Sequence, residues 1–137
     1  QGRAFAVLYL DLDGFKAVND AHGHATGDQL LRIIAARLAG EVRAEDMVSR
    51  IGGDEFACLL WLGAPERAAL ARVAQSMFAA VSAPLRVDAL CLTVRPSIGI
   101  AIWPGDGITP ERLLEHADTA MYLAKRQRSG HAFFDQC

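Results

Sequence analysis

Residues 47–62 read Met-Val-Ser-Arg-Ile-Gly-Gly-Asp-Glu-Phe-Ala-Cys-Leu-Leu-Trp-Leu, two apolar strand-like runs (47–51 and 55–62) held apart by Gly52-Gly53-Asp54. Strand-length runs joined by a glycine pair are a hairpin signal, so this stretch predicts two antiparallel neighbours with a polar, exposed turn. Two residues without a Cβ also let the main chain come close to a ligand, and the acids Asp54 and Glu55 follow at once. An ordinary turn would be served by the same glycines. The pentapeptide itself is more specific than the turn: at average residue usage, Gly52 to Phe56 would arise by chance in about one chain of this length in ten thousand.

Periodic segments surround the hairpin on both sides. Residues 5–11 are apolar almost throughout, which predicts a central strand covered on both faces and delivering Asp11 and Asp13 at its end. Residues 15–21 read as a short helix ended by Gly23. Thr26 or Asp28 then opens a longer helix with Leu30, Leu31, Ile34 and Leu38 on one side, stopped by Gly40. Beyond the hairpin, Pro65 starts an alanine-rich helix to about Val81, and residues 85–87 and 90–94 form a second hairpin. Residues 97–103 continue as strand. Thr109, Pro110 and Glu111 supply an N-cap and a first-turn proline for a last helix to about Arg126, and residues up to Phe134 close the chain as a strand. The order β-α-α-β-β-α-β-β-α-β predicts an α/β (α+β) fold with helices on a mainly antiparallel sheet.

The chain has 137 residues, 52% of them apolar, enough for a single domain with one real core. Its net charge of −2 comes from interspersed signs, so no basic stripe invites nucleic acid or a membrane surface. No apolar run reaches the length of a membrane span. Cys58, Cys91 and Cys137 are odd in number and lack metal-ligand spacing; the first two read as buried thiols of a reducing, cytoplasmic compartment. Trp61 and Trp103 read as core or core-edge residues.

Three constellations carry chemistry. Asp11-Leu12-Asp13-Gly14-Phe15-Lys16 sets two carboxylates beside a lysine, the hard oxygen ligands and mobile cation of a Mg²⁺-nucleotide site. A solvated strand end with one salt bridge is the competing reading. The second constellation is Gly52 to Phe56. The third, Arg43-Ala-Glu-Asp46, is either an ion pair within a loop or a ligand site.

Together these segments resemble the GGDEF family of diguanylate cyclases. The resemblance extends through Asn19-Asp20, Gly23-His24 and Gly27-Asp28, then Ser97 to Ala101, Ala117-Asp118, Ala120-Met121-Tyr122 and Ala124-Lys125, covering residues 5 to 135. It implies the palm-like nucleotidyl-cyclase fold and the condensation of two GTP into cyclic di-GMP and two pyrophosphates, with Mg²⁺ (or Mn²⁺) as cofactor. It makes Asp11, Asp54 and the Leu12 carbonyl metal ligands. Lys16, Lys125, Gly52, Gly53 and the N–H groups near Phe15 fall to the substrate, Asn19 and Asp28 to guanine, and Arg43, Asp46 and Arg50 to an inhibitory product site. Glu55 or Asp54 is the candidate for the 3′-hydroxyl proton, and the base stays unassigned between them. Asp28 also suits a helix N-cap. In the family two domains face each other for catalysis, so a homodimer is implied, and fusion to a sensory or EAL phosphodiesterase domain is common.

Two stretches depart from the family. Its segment before the first strand is absent ahead of Ala4, which suggests a piece of a multidomain protein. Ser129 stands where the family has a phosphate-binding arginine, with Arg126 and Arg128 beside it. The alternative functions are therefore a weakly active or inactive GTP-binding regulatory module of a GGDEF–EAL protein, or a receptor for cyclic di-GMP.

Overall fold

A computed structural model describes residues 4–63 and 66–137. Strand β1 (Ala4–Asp13) is followed by helices α1 (Phe15–His22) and α2 (His24–Ala39), the hairpin β2 (Met47–Arg50) and β3 (Glu55–Leu62), and helix α3 (Arg67–Ser82). A small hairpin of β4 (Leu85–Val87) and β5 (Leu90–Leu92) precedes β6 (Arg95–Trp103), α4 (Pro110–Gln127), β7 (His131–Phe133) and a closing 3₁₀ turn over Phe134–Gln136. The main sheet runs β2-β3-β1-β6-β7, antiparallel except for the β6–β7 pair. The mainly antiparallel α/β architecture holds, but the element order departs from expectation in one place: three strands, β4, β5 and β6, lie between α3 and α4 where two were expected, because the run from Leu90 to Trp103 breaks into two strands that belong to different sheets.

Strand alternation divides β1 between two cores. Ala6, Leu8, Leu10 and Leu12 join the larger core with Phe15 and Val18 of α1, Leu30 and Ile34 of α2, and Leu70 and Met77 of α3. Val7 faces the other way, into a smaller core with Ala101 of β6 and Leu113 and Ala117 of α4, where Phe5, Tyr9 and Leu59 pack at the edge. Asp11 and Asp13, two and four residues beyond Tyr9, share the α4 face. The polar end of the strand therefore emerges under one helix only.

Helix α4 lies against the sheet because Gly99 has no side chain. A Cβ there would sit 2.0 Å from the Ala117 carbonyl oxygen and 2.1 Å from the Met121 nitrogen, both backbone atoms that cannot step aside. Thr109 caps the helix, its Oγ1 accepting the Arg112 N–H at 3.2 Å, with Pro110 in the first turn.

Three further expectations change. The long helix begins at His24, so Thr26 and Asp28 lie inside it and Asp28 is no N-cap; Gly23, at φ 91° and ψ 166°, reverses the chain in a single residue and leaves no room for a later start. Cys91 is exposed, because β4 and β5 form a separate two-stranded sheet with one open face, whereas Cys58 is buried and its thiol is pushed up to about 12 by that burial. The chain closes with the short strand β7 and a 3₁₀ turn, so Phe134 lies past the strand. The proposed helix start at Pro65 lies outside the described residues.

Gly99→Ala is expected to destabilise the domain by about 3 kcal/mol or more, since the methyl must displace the α4 backbone. Urea denaturation followed by circular dichroism measures it; an unchanged midpoint would mean that α4 can move off the sheet freely.

Candidate active site

Pairing register builds the site. Asp11 at the end of β1 lies opposite Glu55 at the start of β3 on one side and Ser97 of β6 on the other. The Leu12 N–H bonds the Asp54 carbonyl at 3.2 Å, which ties the hairpin turn to the strand end. One oxygen from each of Asp11, Asp54 and Glu55 comes within 4.8 Å of the others. Asp11 is buried, one of two buried polar residues among those described, the other being Ser97.

Gathering carboxylates in a half-dry place raises their proton affinity. The Asp54 carboxyl is held above its usual range, first by burial and then by the Asp11 carboxylate beside it. Asp118 of α4 is raised as well, by burial and then by Glu55 and Asp11. Tyr9 donates its hydroxyl to Glu55 Oε1 at 2.9 Å, and burial with this bond pushes the phenol far up. Lys125 reaches over from α4, its Nζ 2.7 Å from Asp11 Oδ2 and 3.4 Å from Asp13 Oδ1. The Asp11 bond, more than any other contact, raises its pKa. Ser97 donates to Asp13 Oδ2 at 2.9 Å and completes the set. An all-oxygen donor group of crowded acids is what a small divalent cation fits, because it relieves the repulsion that raises these pKa values.

Beside the acids lies a cavity of about 460 Å³ lined by Leu12, Asp13, Gly14, Lys16, Asp54 and Lys125, together with Arg95, Ser97 and Arg128. Gly14, at φ 90°, opens α1 there without a side-chain cap, so the helix start and its free N–H groups border the cavity. Phe15 itself is buried in the core. Gly52 and Gly53 stand outside the cavity wall, and neither has a positive φ. A Cβ on Gly53 would meet nothing within 4 Å, so these glycines serve to keep the surface beside Asp54 low rather than to satisfy a strained turn.

Asn19 packs against α2 where a Cβ on Gly27 would lie 1.9 Å from its Oδ1. That oxygen is buried and, among the described residues, has no hydrogen-bond partner. Asp28 follows Gly27 in the same helix and lines a separate cavity of about 280 Å³ with Arg32 and Arg50. Arg43 and Asp46 are brought together, with Nε 3.4 Å from Oδ2. Arg50 is not brought to them; its Nε donates to the Gly52 carbonyl at 3.1 Å. The Asp46 side chain is only 3% exposed and accepts the Arg43 N–H and the Trp61 N–H, both at 3.0 Å, while Arg43 Nη2 donates to the Trp61 carbonyl. The pair thus clasps its loop to β3, and the Arg43 guanidinium remains 62% exposed beside a cavity of about 490 Å³.

Tyr9, Asp118 and Arg95 were not singled out as site residues by the sequence. Tyr9 had a usable signal, since it precedes Asp11 by two and must share its face. Asp118 and Arg95 depend on how α4 and β6 come to lie beside β1.

Comparison with known proteins agrees with this geometry. The family described as "Diguanylate cyclase, GGDEF domain" matches residues 1–131. The chain is 48% identical over 134 residues to the bifunctional diguanylate cyclase/cyclic di-GMP phosphodiesterase MucR of Pseudomonas aeruginosa, covering 97% of this chain but only 19% of MucR. An EAL/GGDEF domain protein from M. capsulatus superposes with a TM-score of 0.89 at 44% identity, covering 98% of this chain and 86% of that one. The GGDEF domain of DgcB from Caulobacter crescentus, in complex with c-di-GMP, gives 0.84 at 27% identity over 98% of this chain and 80% of that one.

Asp46→Ala is expected to cost about 2 kcal/mol, because two N–H groups lose their acceptor. Denaturation midpoints check this, and a loss below a few tenths would show that the loop holds without its clasp.

Proposed function

The chain belongs to the GGDEF family of diguanylate cyclase domains, and from that premise we propose that it condenses two GTP into cyclic di-GMP with release of two pyrophosphates. The observation that supports this most is the convergence of Asp11, Asp54 and Glu55 beside a cavity walled by Lys16 and Lys125. Phosphoryl transfer requires alignment and charge neutralisation more than covalent participation, and this site offers both. Asp11, Asp54 and the Leu12 carbonyl hold Mg²⁺ or Mn²⁺, with Glu55 at hand as a further oxygen donor. When bound, the ion neutralises phosphate charge and lowers the pKa of the attacking 3′-hydroxyl. Lys16 and the first N–H groups of α1 meet phosphate oxygens, and Lys125, while paired with Asp11 and Asp13, adds its charge to the same cavity wall. Asn19 and Asp28 read guanine, the unpartnered Asn19 Oδ1 serving as acceptor. The 3′-oxygen of each GTP attacks the α-phosphorus of the other, so two such domains face each other and the working unit is a homodimer. Arg43 and Asp46 bind the product and restrain the enzyme.

A regulatory reading is favoured by one observation. Ser129 donates its hydroxyl to the His131 carbonyl at 2.9 Å, and so spends on its own turn the position where the family places a phosphate-binding arginine. In a GGDEF–EAL protein such a domain would bind GTP and govern its neighbour. A covalently linked EAL or sensory domain and a cytoplasmic setting belong to the same proposal. Among the described residues no helix is long and apolar enough to cross a membrane.

Incubation with GTP and Mg²⁺ at high protein concentration, followed by chromatography, is expected to yield cyclic di-GMP, and Asp54→Ala to abolish it while the melting temperature holds. GTP binding without product in the parent chain would establish the regulatory reading instead. Arg43→Ala should raise the product concentration needed for half-inhibition about tenfold, consistent with loss of a charge-assisted contact; an inhibition curve that does not move removes Arg43 from the product site.

A further inference from the structure

Two of the cations walling the cavity have no task in the reading above. Arg95 begins β6 directly opposite Asp13 in register, and Arg128 ends α4; both line the cavity with Lys16 and Lys125. Both also line an adjoining cavity of about 240 Å³ with Phe78, Ser129 and Gly130, and no carboxylate lines that one. Arg43, Arg67 and Arg112 each have a carboxylate within ion-pair distance, whereas among the described residues Arg95 and Arg128 have none. Both arginines border the same cavity as the open start of α1.

Arg128 keeps its place against a conformational penalty. It caps α4 at φ 54° and ψ 37°, the left-handed region where glycine is at ease and longer side chains are seldom found. Among the described residues only Asp88 is another non-glycine with positive φ. One aromatic ring lies beside Arg95 and against the turn that follows Arg128. The Arg95 guanidinium lies 5.4 Å from the centroid of Phe78, within cation–π range, and the same ring lies 3.3 Å from where a Gly130 Cβ would be, bracing the turn that carries Arg128.

Resting on the nucleotide-binding reading, we propose that Arg95 and Arg128 form a clamp for the terminal phosphate of the bound nucleoside triphosphate, where the cavity beside the carboxylates adjoins the smaller, acid-free one that both arginines also line. A triphosphate brings more negative charge than two lysines neutralise, and Lys125 is already shared with Asp11 and Asp13. Two guanidinium forks from different elements hold a phosphate in a fixed orientation, which a single flexible ammonium does not. The clamp thereby orients the pyrophosphate leaving group and supplies from positions 95 and 128 the cationic contact that Ser129 does not make.

Titration calorimetry with GTP, GMP and inorganic tripolyphosphate, each with Mg²⁺, separates this clamp from the rest of the site. Arg95→Ala and Arg128→Gly are each expected to weaken GTP and tripolyphosphate about tenfold or more while GMP binding stays as it was. Arg128→Gly should also raise the melting temperature by releasing the left-handed strain, so its lost affinity cannot be lost fold. Variants that bind GTP and tripolyphosphate like the parent would overturn the clamp and leave the nucleotide reading intact. GMP weakened as much as GTP would make the arginines structural and overturn it too. A parent chain that binds neither GTP nor tripolyphosphate would overturn the nucleotide reading and the clamp together.

Discussion

A lysine near the end of the chain lies 2.7 Å from an aspartate near its beginning, and most of the site depends on that closure. Asp11 is buried among other acids, and burying a charge without a partner is costly. Lys125 supplies the counter-charge from α4, 114 residues away in sequence. Its reach is set by the seat of α4 on Gly99, and the seat by the absence of a single Cβ. A substitution at Gly99 would thus displace the cation that neutralises the buried Asp11.

The same closure explains why the acids gather on one face. Alternation along β1 sends Leu8, Leu10 and Leu12 into the core under α1 to α3 and leaves Tyr9, Asp11 and Asp13 on the side covered by α4 alone. Antiparallel register then brings Glu55 opposite Asp11, while the turn before it lays Asp54 beside Leu12. Hydrophobic burial on one face fixes the register, and the register places the carboxylates. Stability and chemistry are therefore separated by face: the leucines can change packing without moving charge, but a slip of one residue would exchange Asp11 for Leu12.

Much of this was legible in the residues. The 47–62 hairpin, the short and long helices after β1, the second hairpin and the Thr109 cap follow from local periodicity and turn chemistry, which is where sequence speaks most directly. The start of α2 was misread because Thr26 and Asp28 have N-cap chemistry, whereas Gly23 alone accomplishes the reversal. Cys91 was misread because an apolar run does not reveal that its hairpin stands apart from the main sheet. Asp11, Asp54 and Lys125 were legible through motif spacing. Arg95, Asp118 and the clasping role of Asp46 were not, since each depends on a contact between elements distant in sequence.

Charge is arranged along the site rather than merely present in it. A chain of net charge −2 has no long-range field to draw in an anion, so attraction must be local. Carboxylates gather at one end, where they pair with Lys125. Lys16, Arg95, Arg128 and the open start of α1 share the cavity with Asp13 and Asp54, and the adjoining cavity, which both arginines also line, is lined by no acid, so the wall turns positive from the first cavity to the second. A polyanion laid along such a gradient has one preferred direction, because reversal would set its most charged end against three carboxylates. Direction matters more than affinity for the proposed reaction: transfer at one particular phosphorus would need the phosphates threaded one way, and the gradient would set that direction before any single hydrogen bond is made.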